Sequence, residues 1–122
     1  MASEKKYRVT KRHIELFKRR VKYWLDRFGI NEYQLYFEVE DVEGAYGACI
    51  ADLPGMVATI VLADPWYEPI TRAKILDTAR HEAIELLMQP LWHATLCREL
   101  NVDWANCQRH TIIRRLERVL DP

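Results

Sequence analysis

The apolar positions change period twice along the chain. From Ile14 they recur at Phe17, Val21, Trp24, Leu25 and Phe28, spacings of three and four that lay one stripe along a helix. Thr10 precedes the stripe with a hydroxyl that can accept from an unpaired first-turn amide, and Gly29 follows it with the left-handed freedom that ends helices. A helix over 11–28 is predicted. From Tyr33 to Val42 the period drops to two, with Tyr33, Leu35, Phe37 and Val39 alternating with polar residues as in a strand with one buried face. Gly44 and Gly47 bracket a turn or bulge, Ala45 to Asp52 reads as a second strand, and Leu53-Pro54-Gly55 as a turn. Met56 to Ala63 is an apolar, β-branched run and predicts a third strand, broken by Asp64-Pro65.

The helical period then returns at Ile75, Leu76, Ala79, Ala83, Leu86 and Leu87 behind a capping Thr71. It predicts a helix from Arg72 to about Gln89, which Pro90 ends or kinks. A connector with Trp92, His93, Cys97 and Asn101 leads to a last helix, capped by Asp103 and running to Leu120 over Ile112, Ile113, Leu116 and Val119. Strands grouped between helices, rather than alternating with them, predict one α+β domain over 1–122. It has an N-terminal helix, a small antiparallel three-stranded sheet, a second helix and a C-terminal helix.

Composition supports one packed domain. Of 122 residues 49% are hydrophobic, enough for a core at this size. No apolar run approaches the roughly 20 residues of a membrane span, and no signal peptide is visible. The three cysteines, Cys49, Cys97 and Cys107, are odd in number and lack a Cys-x-x-Cys spacing, which argues against a disulfide framework or a four-cysteine zinc site. A reducing cytoplasm is the expected compartment. The net charge is zero, yet residues 1–27 hold ten Lys/Arg against three Asp/Glu, whereas 28–70 hold eight Asp/Glu and no Lys/Arg. This polarity fits a basic N-terminal helix packed beside an acidic sheet. It also fits a nucleic-acid surface using Lys11, Arg12, Lys18, Arg19, Arg20 and Lys22.

The candidate chemistry lies in the second helix. Residues four apart share a helix face, so His81 and Glu85 project together and can share one cation. Imidazole nitrogen and carboxylate oxygen both ligate zinc. Glu82, about 100° round the axis, falls beside such an ion, where a general base for water belongs. The simpler reading is a His81–Glu85 helix pair with Glu82 as a solvated charge.

Arg80-His81-Glu82-Ala83-Ile84-Glu85-Leu86-Leu87 resembles the His-Glu-x-x-His helix of zincins, with Glu85 where the second histidine is expected. The order of elements is similar to that of small SprT-like and mini-gluzincin metallopeptidases, including ones found in phage genomes. The resemblance spans nearly the whole chain as an order of elements and about eight residues as a motif. It implies a zinc-dependent peptidase with Glu82 as general base and a peptide or protein substrate, in the cytoplasm of a bacterial or phage-infected cell. It implies a third ligand on the last helix, where this chain offers His110, giving His81, Glu85 and His110 as the metal set. His110 otherwise faces solvent between Arg109 and Arg114; Cys107 and Ile113, three residues either side, suggest a partly inward face. The resemblance further implies that Ala58 to Leu62 is the edge strand holding an extended peptide. Nothing in the sequence fixes an oxyanion stabiliser, for which Tyr46 and His93 are candidates. Cys97 and Cys107 read as buried thiols rather than ligands. The alternatives are a catalytically silent protein of the same fold, serving as a viral accessory or interaction module, and a nucleic-acid-binding module. No organic cofactor is implied, as there is no glycine-rich phosphate loop.

Overall fold

The computed structural model describes residues 5–97 and 102–120. In chain order the elements are α1 (Lys11–Phe28), β1 (Gln34–Glu40), β2 (Gly47–Asp52), β3 (Val57–Ala63), α2 (Arg72–Cys97) and α3 (Val102–Leu120). The α+β order is as the periodicity predicts. Among the described residues no helix is long and apolar enough to cross a membrane.

Local signals set the ends of α1. The Thr10 amide donates to His13 Nδ1 at 3.0 Å and the His13 amide donates to Thr10 Oγ1 at 3.3 Å, a reciprocal cap. At the other end Gly29 takes φ 72°, and its amide donates to the Asp26 carbonyl. Phe17, Val21, Leu25 and Phe28 are the buried stripe.

The sheet differs from the antiparallel expectation. Its order is β1-β3-β2, with β1 parallel to β3 and β2 antiparallel to it. The run Val57–Ala63 is apolar on both faces, and such a strand belongs in the middle, where both edges are paired. The segment between β1 and β2 therefore crosses the end of β3, and the Leu53–Met56 turn returns the chain between the two. In that turn the Gly55 amide donates to Asp52 Oδ1 and the Met56 amide to the Leu53 carbonyl.

One sheet face carries Leu35 and Phe37 from β1, Ala58, Ile60 and Leu62 from β3, and Cys49 and Ala51 from β2, all packed in the core beneath the helices. Ile75, Ala79, Ala83, Leu86 and Leu87 of α2 close that core, each at most 1% exposed.

Two further expectations change. α2 does not stop at Pro90 but runs through it to Cys97, so Trp92, His93 and Cys97 are helical rather than a connector; Asn101 lies outside the described residues. A proline removes one backbone bond and crowds the previous turn at about 3 kcal/mol. Burial of Leu86, Leu87 and Gln89 just before it offsets that loss. α3 begins at Val102, which puts Asp103 in its first turn rather than at the cap.

The candidate functional site

The Thr71 hydroxyl accepts from the Lys74 amide and starts α2. Ten residues on, His81 and Glu85 stand on the helix's outer side, with His81 Nε2 3.4 Å from Glu85 Oε1 and both side chains at least half exposed. Glu82 behaves differently. It is 4% exposed, and its carboxylate points under the first residue of the edge strand β2. A Cβ on Gly47 would meet Glu82 Oε2 at 3.3 Å, Thr78 Cγ2 at 3.2 Å and the Val61 carbonyl oxygen at 2.7 Å. The glycine is what lets the strand lie this close to the helix. Gly47→Ala is therefore expected to cost about 1–3 kcal/mol by overpacking against backbone that cannot turn aside. Chemical denaturation would read this, and a neutral result would show that β2 lifts off α2 without cost.

Burial pushes the Glu82 carboxyl up to about 7; His81 opposes the shift and Glu85 adds to it. A group that changes charge near neutral pH, in a cleft, is suited to taking and giving protons. Cys49 on β2 faces the same carboxylates. Burial first, then Glu82 and Glu85, push its thiol up to about 12, which keeps it protonated at neutral pH, packed against the core behind the cleft. Sequence reasoning missed Cys49, since the pairing that turns it toward α2 is long-range.

The cleft over Glu82 has a volume of about 590 Å³, lined by Tyr46, Gly47, Thr78, His81, Glu82 and Ile84 among others. A second cleft of about 410 Å³ shares Ala45 and Tyr46 with it and is walled by Pro65, Trp66, Tyr67 and Glu68. Tyr46 is held between the two. Its ring stacks on Trp66 at 4.6 Å, and its hydroxyl donates to Glu68, which also pairs with Lys74 Nζ at 3.3 Å. Trp66 in turn donates from Nε1 to the Ala63 carbonyl at 2.9 Å.

The predicted residues are only partly brought together. His81, Glu82 and Glu85 are neighbours, and Tyr46 lines their cleft. His93 is twelve residues along α2 from His81, about 18 Å by helical rise, and is not at the cleft. His110 is exposed, with Nδ1 2.9 Å from the Asn106 carbonyl on its own helix. The face read as inward is outward: Cys107 is exposed, against the expected buried thiol, and Ile113 is 43% exposed. The buried stripe of α3 instead passes through Ile112, and His110 lies about 200° round the axis from it. The side chain of Cys97 lies outside the described residues.

His81 and Glu85 fit two corners of a zinc site, because two donors about 2.0–2.2 Å from a tetrahedral ion stand roughly 3.3–3.6 Å apart. A third is not assembled, since among the described residues no three His, Cys, Asp or Glu side chains form a group that could hold a metal. The strand expected at the edge, Ala58 to Leu62, is central; β2 is the edge strand beside the motif, and among the described residues no strand pairs with its outer side. Compared with family models, curated proteins and solved structures, the chain matches none of them.

Proposed function

We propose that the protein is a zinc-dependent metallopeptidase whose general base is Glu82. The observation that carries this reading is a buried carboxylate under an edge strand, next to an outward His–Glu pair at zinc-ligand separation. A chance surface pair on a helix has no reason to sit over a buried acid and a cleft.

In this reading His81 and Glu85 hold the ion, with His110 offered as third donor by the resemblance alone. The zinc, when bound, supplies Lewis acidity to the reacting carbonyl and to water. Glu82, shielded by Gly47 and Thr78, takes the proton of the attacking water and returns it to the leaving amine. The outer edge of β2 pairs an extended substrate through main-chain hydrogen bonds, which fix its register over Glu82. The adjoining cleft, walled by Pro65, Trp66 and Tyr67, takes one side chain of that substrate. Tyr46, pinned by Trp66 and Glu68, marks the boundary between the two.

Elemental mass spectrometry of untagged protein is the first test. About one zinc per chain is expected, lost in His81→Ala and in Glu85→Ala. An unchanged zinc content in both variants would refute the ligand assignment. His110→Ala with the parent's zinc affinity would remove His110 and leave the α2 pair in place. Protein that takes up no zinc from excess would point instead to a silent relative acting through binding partners.

A further inference from the structure

α1 carries seven cations, Lys11, Arg12, Lys18, Arg19, Arg20, Lys22 and Arg27, against Glu15 and Asp26. Lys18 and Lys22 reach over the Phe37 ring at the sheet side, and a solvated face of the other cations usually needs no further explanation. Three observations set this one apart. First, among the described residues no ion pair involves any of the seven, although Arg8, Lys74, Arg80 and Arg115 all find carboxylates. The acidic residues of 28–70 lie on the sheet and its loops, so the charge on α1 is not neutralised from within its own helix layer.

Second, the cations are organised around aromatic rings. The Arg20 guanidinium sits 4.2 Å from the Tyr23 ring centroid and 5.3 Å from that of Trp24, and Arg27 lies 5.5 Å from Tyr23. Tyr23 is still 40% exposed. Planar guanidinium groups held over rings are stiffened, and Arg20 and Arg27 are half-buried, with Nε atoms that have no hydrogen-bond partner among the described residues. Third, α3 extends the strip. Its Arg118 stands at the end of α1, where Nη1 would lie 2.8 Å from a Cβ placed on Gly29.

These features decide between occupants. A membrane surface is attracted by cations but held by apolar residues that insert, and the large apolar residues of α1 (Phe17, Val21, Leu25 and Phe28) are spent on the core. An acidic protein would be served by cations alone and leaves the tyrosine–guanidinium stack without a role. Unpaired bases use both, phosphates on the Lys and Arg side chains and ring faces on tyrosine and guanidinium planes.

We propose that the outward face of α1, continued by Arg118, is a binding surface for single-stranded nucleic acid, with Tyr23, Arg20 and Arg27 as its base-stacking platform. It does not depend on the peptidase reading.

The test is fluorescence anisotropy of the full chain with a labelled 20-nucleotide oligothymidylate and with a duplex of equal length. Single-strand binding is expected to dominate. With about four phosphates engaged, affinity should fall roughly fifty-fold between 50 and 200 mM salt. Tyr23→Ala should weaken single-strand binding roughly tenfold at constant salt slope, since a stacked base is lost and no charge. The triple variant Lys11→Ser, Arg12→Ser, Arg19→Ser should flatten the slope while leaving the melting temperature close to the parent's. Failure to bind the oligonucleotide at 50 mM salt would overturn the proposal. So would equal affinity for duplex or heparin with no effect of Tyr23→Ala, or binding to phosphatidylserine vesicles in its place.

Discussion

Metal-free Glu82→Gln is expected to be more stable than the parent at pH 8, by up to about 3 kcal/mol, because each pH unit separating the folded and unfolded titrations is worth about 1.4 kcal/mol. The folded chain holds the Glu82 proton to about pH 7, whereas an unfolded chain releases it near 4.5. Below about 4.5 both states are protonated and the carboxyl costs nothing. Between these values the unfolded state ionises first, so stability falls as pH rises; above about 7 the full cost of a buried carboxylate is present. Glutamine keeps the shape and removes the charge. The two proteins should therefore have equal urea midpoints at pH 4, separate between about pH 4.5 and 7, and keep that separation to pH 8, if both are treated with chelator. A Gln variant weaker than the parent at pH 8 would mean that the carboxylate is satisfied in the folded state. Under the proposed peptidase reading, the same substitution should abolish peptide hydrolysis while zinc binding is retained. Gaining stability while losing activity is what separates a catalytic carboxylate from a structural one.

The second large effect concerns the wall of the cleft. Trp66→Ala should destabilise the domain by about 3–5 kcal/mol, the usual cost of emptying a large aromatic site. Trp66 is 1% exposed, donates to the Ala63 carbonyl, bridges to Tyr7 through the backbone and supports the Tyr46 ring. Trp66→Phe keeps a ring under Tyr46 and loses chiefly the indole hydrogen bond, at about 1 kcal/mol. Thermal melts rank the three proteins, and near-ultraviolet circular dichroism reports whether the tyrosine is still held. An alanine variant that melts with the parent would show that this ring is a surface fitting and that the second cleft has no rigid wall.

Sequence and structure agree where the determining forces are local. Thr10 and Gly29 bound α1 because caps act within one turn, and Thr71 starts α2 for the same reason. The alternation in β1 and the apolar run of β3 are legible too, as are the His81–Glu85 pair and the turn at Leu53-Pro54-Gly55, although Met56, read as strand, belongs to that turn. What is not legible depends on distant partners. The parallel pairing of β1 with β3 joins Gln34 to Val57, and no local pattern distinguishes it from a meander. Pro90 reads as a stop or a kink until the packing around it is known. The burial of Glu82 does have a signal: it falls three residues after Ala79 and four before Leu86, on the stripe that α2 buries. His110 is misplaced by sequence because Cys107 and Ile113 suggest a face that Ile112 does not share. Gly47 reads as a turn former, and only the closeness of Val61 and Glu82 shows why a side chain is excluded there.

The strand order also has a consequence in time. β2 and β3 face each other across a four-residue turn and can zip as a hairpin within microseconds, whereas β1 must find a partner 23 residues away, Gln34 opposite Val57. As the chain leaves the ribosome, β1 emerges first and waits unpaired. The hairpin that sets Gly47 against Leu62 needs only contacts close in sequence, so its pairing can precede the docking of α2. The edge against which Glu82 packs is thus built from local pairing, whereas the helix that carries Glu82 reaches it only through contacts distant in sequence.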